Sequence, residues 1–162
     1  MPRSEQRRGR HDNPDLYGVL YLSREPTSSV AELLMVFRTQ PLLAQYLAAE
    51  GFPYALASID DSAVDGLLDL DDPRSLVGRS LRPSSVATRN RKLTRPMARA
   101  IYEEGVPGFE WWSTIEASWI NVTLFEDRVV DRLTLAAEPE PLTLDHPAVR
   151  EAAEAVGVLL AQ

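Results

Sequence analysis

Apolar positions change period several times along this chain. Val19, Leu20, Tyr21 and Leu22 form a short apolar and aromatic run, which predicts a strand over residues 18–23. After a Pro/Ser/Thr turn, Val30, Leu33, Leu34 and Phe37 recur at i, i+3, i+4 and i+7, the spacing of one helical face. Ser29 and Glu32 stand at capping-box spacing, which places Glu32 in the first turn of that helix. Pro41 either interrupts the pattern or opens a second short helix through Leu42, Leu43, Tyr46 and Leu47, ended by Gly51 and Pro53. Residues 54–59 and 66–70 read as short strands around an acidic turn, Asp72-Pro73 starts another turn, and residues 78–92 read as a loop. Thr94 is the expected N-cap of a helix with Pro96 in its first turn, and Gly105 stops it.

Trp111 to Phe125 is rich in aromatic and β-branched residues. Within it, Ile120, Val122 and Leu124 alternate with Asn121, Thr123 and Phe125, the pattern of a half-buried strand. Val129 to Ala136 is the expected hairpin partner, and residues 147–160 form a last helix with Val149, Ala153, Val156 and Leu160 on one side. Strands and helices mixed without regular βαβ alternation imply an α+β fold.

Composition narrows the chemistry. A length of 162 residues makes one domain the default, with residues 1–8 a loosely ordered start and residues 9–162 the domain. The chain has no cysteine, which excludes disulfides, thiolate metal sites and a cysteine nucleophile. His11 and His146 belong to no ligand cluster, so no metal is expected. The net charge of −7 disfavours direct nucleic-acid binding. Within that acidic background, Arg3, Arg7, Arg8 and Arg10 cluster at the start, and Arg82, Arg89, Arg91, Lys92 and Arg95 form a second basic stretch. A basic face of this kind suits an anionic small molecule, or is simply solvated. No apolar run approaches the ~20 residues needed to cross a bilayer, and the polar start has no secretion-signal h-region. Cytoplasmic residence is the expectation. A homodimer is compatible with the sequence.

Candidate chemistry lies in four residues. A nucleotide site needs a cation for phosphate, hydrogen-bond partners for ribose and an aromatic wall for a flat base. Arg10 could grip a pyrophosphate bidentately, and Tyr21 could supply the wall. Glu32 could hold ribose hydroxyls and stabilise an oxocarbenium-like centre, as glycosidase carboxylates do. Ser113 could fix a carboxamide. Each has a plainer reading: Glu32 as a capping carboxylate, Tyr21 as a core-edge tyrosine, Arg10 as one of several loose arginines, Ser113 as an ordinary serine, and Trp111, Trp112 and Trp119 as core.

Together these residues resemble the RES domain, a family named for its Arg, Glu and Ser. The chain has Gly9-Arg10, then Leu20-Tyr21-Leu22-Ser23, then Thr27 to Glu32. It later has Thr94-Arg95, Gly105-Val106-Pro107-Gly108-Phe109-Glu110-Trp111-Trp112-Ser113 and Asn121-Val122-Thr123-Leu124-Phe125. The resemblance covers roughly residues 9–130. It implies a fold like the ADP-ribosyltransferases, with a mostly antiparallel central sheet flanked by helices. It also implies the toxin half of a bacterial toxin–antitoxin pair, whose antitoxin carries an Xre-type DNA-binding domain and covers the active site.

The implied activity is cleavage of NAD at the nicotinamide–ribose bond, by hydrolysis or phosphorolysis, with Arg10, Tyr21, Glu32 and Ser113 as the NAD-site residues. NAD is then substrate, and no metal is required. The chain departs from the family in three places. His11 stands where an aromatic is more usual, and Trp112 where proline is common. Eight residues precede Gly9, where family members carry a further strand with an arginine beside an aromatic. Two alternatives stay open: a catalytically inactive RES-like module that binds a partner protein or nucleotide, and an ADP-ribosyltransferase with a protein target.

Overall fold

The structure is a computed structural model, and it describes residues 3–161. Its strands are β1 (Val19–Ser23), β2 (Ala48–Ala49), β3 (Phe52–Pro53), β4 (Ala55–Leu56), β5 (Ile59–Asp60), β6 (Leu68–Asp69), β7 (Gly108–Trp112), β8 (Ile120–Phe125), β9 (Thr134–Leu135) and β10 (Glu140–Pro141). Its α-helices are α1 (Pro26–Leu34), α2 (Pro73–Gly78), α3 (Pro83–Val86), α4 (Arg91–Glu103), α5 (Glu126–Val129) and α6 (Pro147–Val156). The fold is α+β. Contacts cluster into two units. One comprises the chain up to Arg24 together with Asp61–Leu133, and the other comprises Glu25–Asp60 and the chain from Thr134 onward.

The first unit is built on a mixed sheet of order β1-β8-β7-β6, antiparallel except for the β7/β6 pair. Register explains its two cores. Val19 pairs with Phe125 and Phe109 with Thr123, so odd-numbered side chains of β1, β7 and β8 share one face. Val19, Phe109, Trp111 and Phe125 on that face pack with Tyr17, Leu76, Val86, Met97 and Ile101, which brings in α2, α3 and α4. The even face carries Val122 and Leu124, packed with Val64, Val129, Leu20 and Leu22. β8 is therefore buried on both faces, not half-buried as its alternation implied. Its sheet neighbours are β1 and β7, so residues 129–136 do not form its hairpin partner. They continue from α5 through a 3-10 turn (Val130–Arg132) to β9, which pairs with β5 in the second unit.

Two glycines are explained by geometry. Gly105 has φ +87°, the left-handed conformation that ends α4. At Gly108, β7 runs so close to β8 that a Cβ would collide with the Thr123 carbonyl oxygen and with Leu124. Gly108→Ala is expected to cost about 1–3 kcal/mol of stability, read from urea unfolding, because backbone has to move to make room. A wild-type midpoint would count against that close approach.

Several boundaries differ from expectation. α1 begins at Pro26, whose fixed φ and missing N–H suit the first helical position. The Ser29/Glu32 capping box is thereby overturned, and Glu32 falls in the second turn. α1 gives way to a 3-10 turn at Met35–Phe37, and the expected second helix is a 3-10 turn at Ala44–Leu47. The turn that Asp72-Pro73 starts is the first turn of α2: the Asp72 carbonyl accepts from the Ser75 N–H at 2.9 Å, and its side chain accepts from the Arg74 N–H at 2.9 Å as a cap. The stretch read as a loop contains α3. α4 starts at Arg91, because Asn90 accepts from the Lys92 N–H at 3.1 Å, so Thr94 lies inside the helix and not at its cap.

Within the second unit α1 packs on α6, burying Val30, Ala31 and Leu34 of one and Val149, Ala152, Ala153 and Val156 of the other. Thr27 donates to Glu151 at 2.7 Å across this pair. Ahead of β1, Arg3–Glu5 make a 3-10 turn. Buried Gln6 accepts from the Val19 N–H at 2.8 Å, so this stretch, expected to be loose, makes specific contact with the sheet edge.

Candidate functional site

On the odd face of the sheet, Tyr21 lies opposite Thr123, and Ser23 opposite Asn121. Ser23 donates to Asn121 Oδ1 at 2.6 Å. Above this row runs the loop from Gly9 to Asp12. Its residues are held by the sheet on one side and by the second basic stretch on the other. Thr94 donates to the Arg10 carbonyl, and Arg95 Nη2 donates to the carbonyls of Arg7 (2.5 Å) and Gly9 (3.3 Å). Part of the basic stretch thus fastens a backbone loop rather than facing solvent.

Arg10 packs against an indole. Its guanidinium lies 4.6 Å from the centroid of the Trp111 ring, and Nη1 is 3.4 Å from the Thr88 carbonyl. A cation over an indole gains about 0.5–2 kcal/mol. Trp111 itself is core, 3% exposed.

Tyr21 combines both of its readings. The side chain is 43% exposed, yet its hydroxyl end is enclosed. The hydroxyl donates to Asp12 Oδ1 at 2.7 Å and accepts from the His11 N–H at 2.9 Å. Burial and the Asp12 carboxylate push the phenol well above its ordinary pKa, so it stays a donor. What Tyr21 offers a ligand is therefore ring surface. A cavity of about 630 Å³, lined in part by Arg7, Arg8, Gly9, Asp12, Leu20 and Tyr21, opens on it. That volume falls within the range of small-ligand pockets. Asp12 Oδ2 also accepts from the Gly9 N–H at 2.6 Å, and a Cβ on Gly9 would collide with Asp12 and the Tyr21 hydroxyl.

Ser113 follows β7, 3% exposed. Its N–H donates to the Trp119 carbonyl at 2.8 Å, and its Oγ accepts from the Ile115 N–H at 3.1 Å. A serine hydroxyl in this state still has one proton to donate. Arg10, Tyr21 and Ser113 belong to the first unit. Glu32 belongs to the second, half-buried on α1.

Sequence reading missed His11, Asp12 and Thr123. His11 is fully buried, and its pKa is pushed down to about 3 by burial and by the Arg10 charge. It is therefore neutral at pH 7 and adds no charge beside Arg10. Its Nδ1 is 2.8 Å from Thr123 Oγ1. No local signal marks this pair, because the two residues meet only through the β1/β8 pairing.

The sequence model of the RES domain matches residues 2–145 of the chain. The chain belongs to the RES domain family. RES domains are generally associated with toxins and with NAD, and they typically pair with an antitoxin in toxin–antitoxin systems. The matched residues draw on both units. Neither the curated proteins nor the solved structures searched gave a match. Among the described residues of this RES domain, no group of three or more His, Asp or Glu could hold a metal ion, and no helix is long and apolar enough to cross a membrane.

Proposed function

We propose that this RES domain is an NAD-consuming enzyme that breaks the nicotinamide–ribose bond, with water or phosphate as acceptor. The observation that carries the reading is the Arg10 guanidinium, seated on Trp111 in the same loop–strand cluster as the exposed Tyr21 ring. A diphosphate linking two nucleosides with flat rings, one a neutral adenine and the other a cationic nicotinamide, asks for a fixed cation at the phosphates near an aromatic surface. Arg10 binds the pyrophosphate, and Tyr21 packs against the nicotinamide side with its ring alone. Ser113 donates its remaining proton to the nicotinamide end. Glu32 orients the ribose and stabilises positive charge at the anomeric carbon as the bond breaks. The partner is an antitoxin with an Xre-type DNA-binding domain, and the setting is the bacterial cytoplasm.

The test is loss of NAD over time with purified protein, with and without phosphate. Loss in both buffers supports hydrolysis, and phosphate-dependent loss supports phosphorolysis. NAD-derived label on a macromolecule would point to the transferase reading. A folded protein that neither consumes nor binds NAD overturns the proposal.

Gly9→Ala probes the loop. Its Cβ displaces Asp12 and the Tyr21 hydroxyl, so KM for NAD is expected to rise by about 10-fold or more, the scale of one charge-assisted hydrogen bond. The displacement also strains the Tyr21–Asp12 and Asp12–Gly9 hydrogen bonds, so the unfolding midpoint is expected to fall as well. An unchanged KM counts against the Gly9 loop and the Tyr21 ring as parts of the NAD site.

A further inference from the structure

The cluster contains two side chains without a role in the chemistry above, His11 and Thr123. Thr123 Oγ1 accepts from Trp111 Nε1 at 3.1 Å and lies 2.8 Å from His11 Nδ1. An indole nitrogen only donates, so one lone pair of the hydroxyl is committed to Trp111. The hydroxyl proton and the second lone pair are left for the imidazole.

The imidazole is itself held on two sides. It meets the Trp111 ring edge-on, with centroids 5.2 Å apart at 88°, and Phe109 at 4.9 Å. It has little room to turn. A tethered imidazole thus fixes a hydroxyl, and the hydroxyl fixes the indole plane. That indole is the surface under the Arg10 guanidinium.

We propose that Thr123 and His11 are positioning residues for Arg10, locking the Trp111 plane and so setting the height and tilt of the guanidinium. The attraction between a cation and a ring comes from the ring's quadrupole and depends on the cation standing over the face. An indole free to tilt carries the guanidinium with it. The loop backbone is fixed separately, through the Tyr21 hydroxyl on His11 N and the Thr94 hydroxyl on Arg10 O. Those backbone bonds remain when the Thr123 hydroxyl is removed, so its loss acts on the loop only through the His11 side chain and on Arg10 through the indole. The consequence for substrate rests on the NAD reading, while the relay itself does not.

The test uses Thr123→Val, which keeps shape and strand preference but removes the hydroxyl, beside Thr123→Ser, which keeps it. Two sets of readouts separate relay from function. In 15N-labelled protein without ligand, Thr123→Val is expected to speed hydrogen exchange at Trp111 Nε1 and to shift the Arg10 Nε–H resonance. In kinetics it is expected to raise KM for NAD by about tenfold with little change in kcat, the pattern of lost binding geometry. Thr123→Ser should restore all three.

A folded Thr123→Val with wild-type Arg10 resonance and wild-type KM overturns the proposal. Should Thr123→Val not fold, Thr123→Ala carries the same expectation, since it also removes the hydroxyl and leaves the indole in place. A wild-type protein that leaves NAD intact and unbound defeats the NAD reading instead. The Trp111 and Arg10 resonances then decide the relay alone.

Discussion

Glu32→Gln is expected to reduce NAD turnover by about 10²–10⁴-fold while leaving the protein folded. Breaking the nicotinamide–ribose bond leaves positive charge spread over the anomeric carbon and the ring oxygen. A carboxylate beside that charge stabilises the transition state more than the ground state, which is the condition for raising kcat. Glutamine has the same shape and nearly the same helix propensity, so it removes the charge without disturbing α1. Glu32 sits in the second turn of that helix, where it contributes nothing as a cap, so capping loss will not confuse the result. NAD loss measured beside far-UV circular dichroism makes the comparison. A folded Glu32→Gln protein with wild-type turnover removes Glu32 from the mechanism.

The second large effect concerns stability and comes from His11. Its pKa is about 3 in the folded protein against an ordinary 6.5. Between those values the unfolded chain binds a proton that the native state does not. Stability is therefore fully present above about pH 6.5 and declines as pH falls toward 3, by up to about 1.4 kcal/mol per pH unit from this residue. Urea midpoints at pH 7, 6, 5 and 4 should fall for the wild type. For His11→Asn the decline should be shallower, because asparagine keeps a polar atom near Thr123 and has no proton to gain. Carboxylates titrate in both proteins and largely cancel in the difference. The variant, weaker at pH 7, should close the gap on acidification. Parallel curves would show that His11 does not stay neutral in the folded protein.

Much of the architecture was legible in the order of residues. The run Val19 to Leu22 reads directly as β1, and the Gly105/Gly108 spacing of the family motif now has two separate causes. One glycine turns the chain at a helix end, and the other lets two strands approach. What was not legible depended on partners far away in sequence. Alternation in Asn121 to Phe125 suggested a face open to water, but α2, α3 and α4 cover that face. The start of α1 was misplaced because Ser29 and Glu32 fit a cap locally, whereas Pro26 upstream fits the first helical position better. Tyr21 was legible as an aromatic wall. That its hydroxyl is tied to Asp12 was not, because the bond forms only when the Gly9 loop folds back over β1. Thr123 resembled any β-branched strand residue until the register set it between His11 and Trp111.

The pairing of β1 with β8 also bears on when this protein takes shape during synthesis. Val19–Ser23 leaves the ribosome well before its strand partner among the described residues, which ends at Phe125. Until that residue is out of the exit tunnel, Tyr21 has no strand to align it and Thr123 is not yet in place to hold Trp111. Contacts of such long sequence separation form late and slowly. A nascent chain interrupted before β8 carries Arg10, Tyr21 and Glu32 but lacks the sheet that fixes the first two. A truncated product that lacks β8 is thus expected to leave the Gly9 loop without the sheet that it folds against.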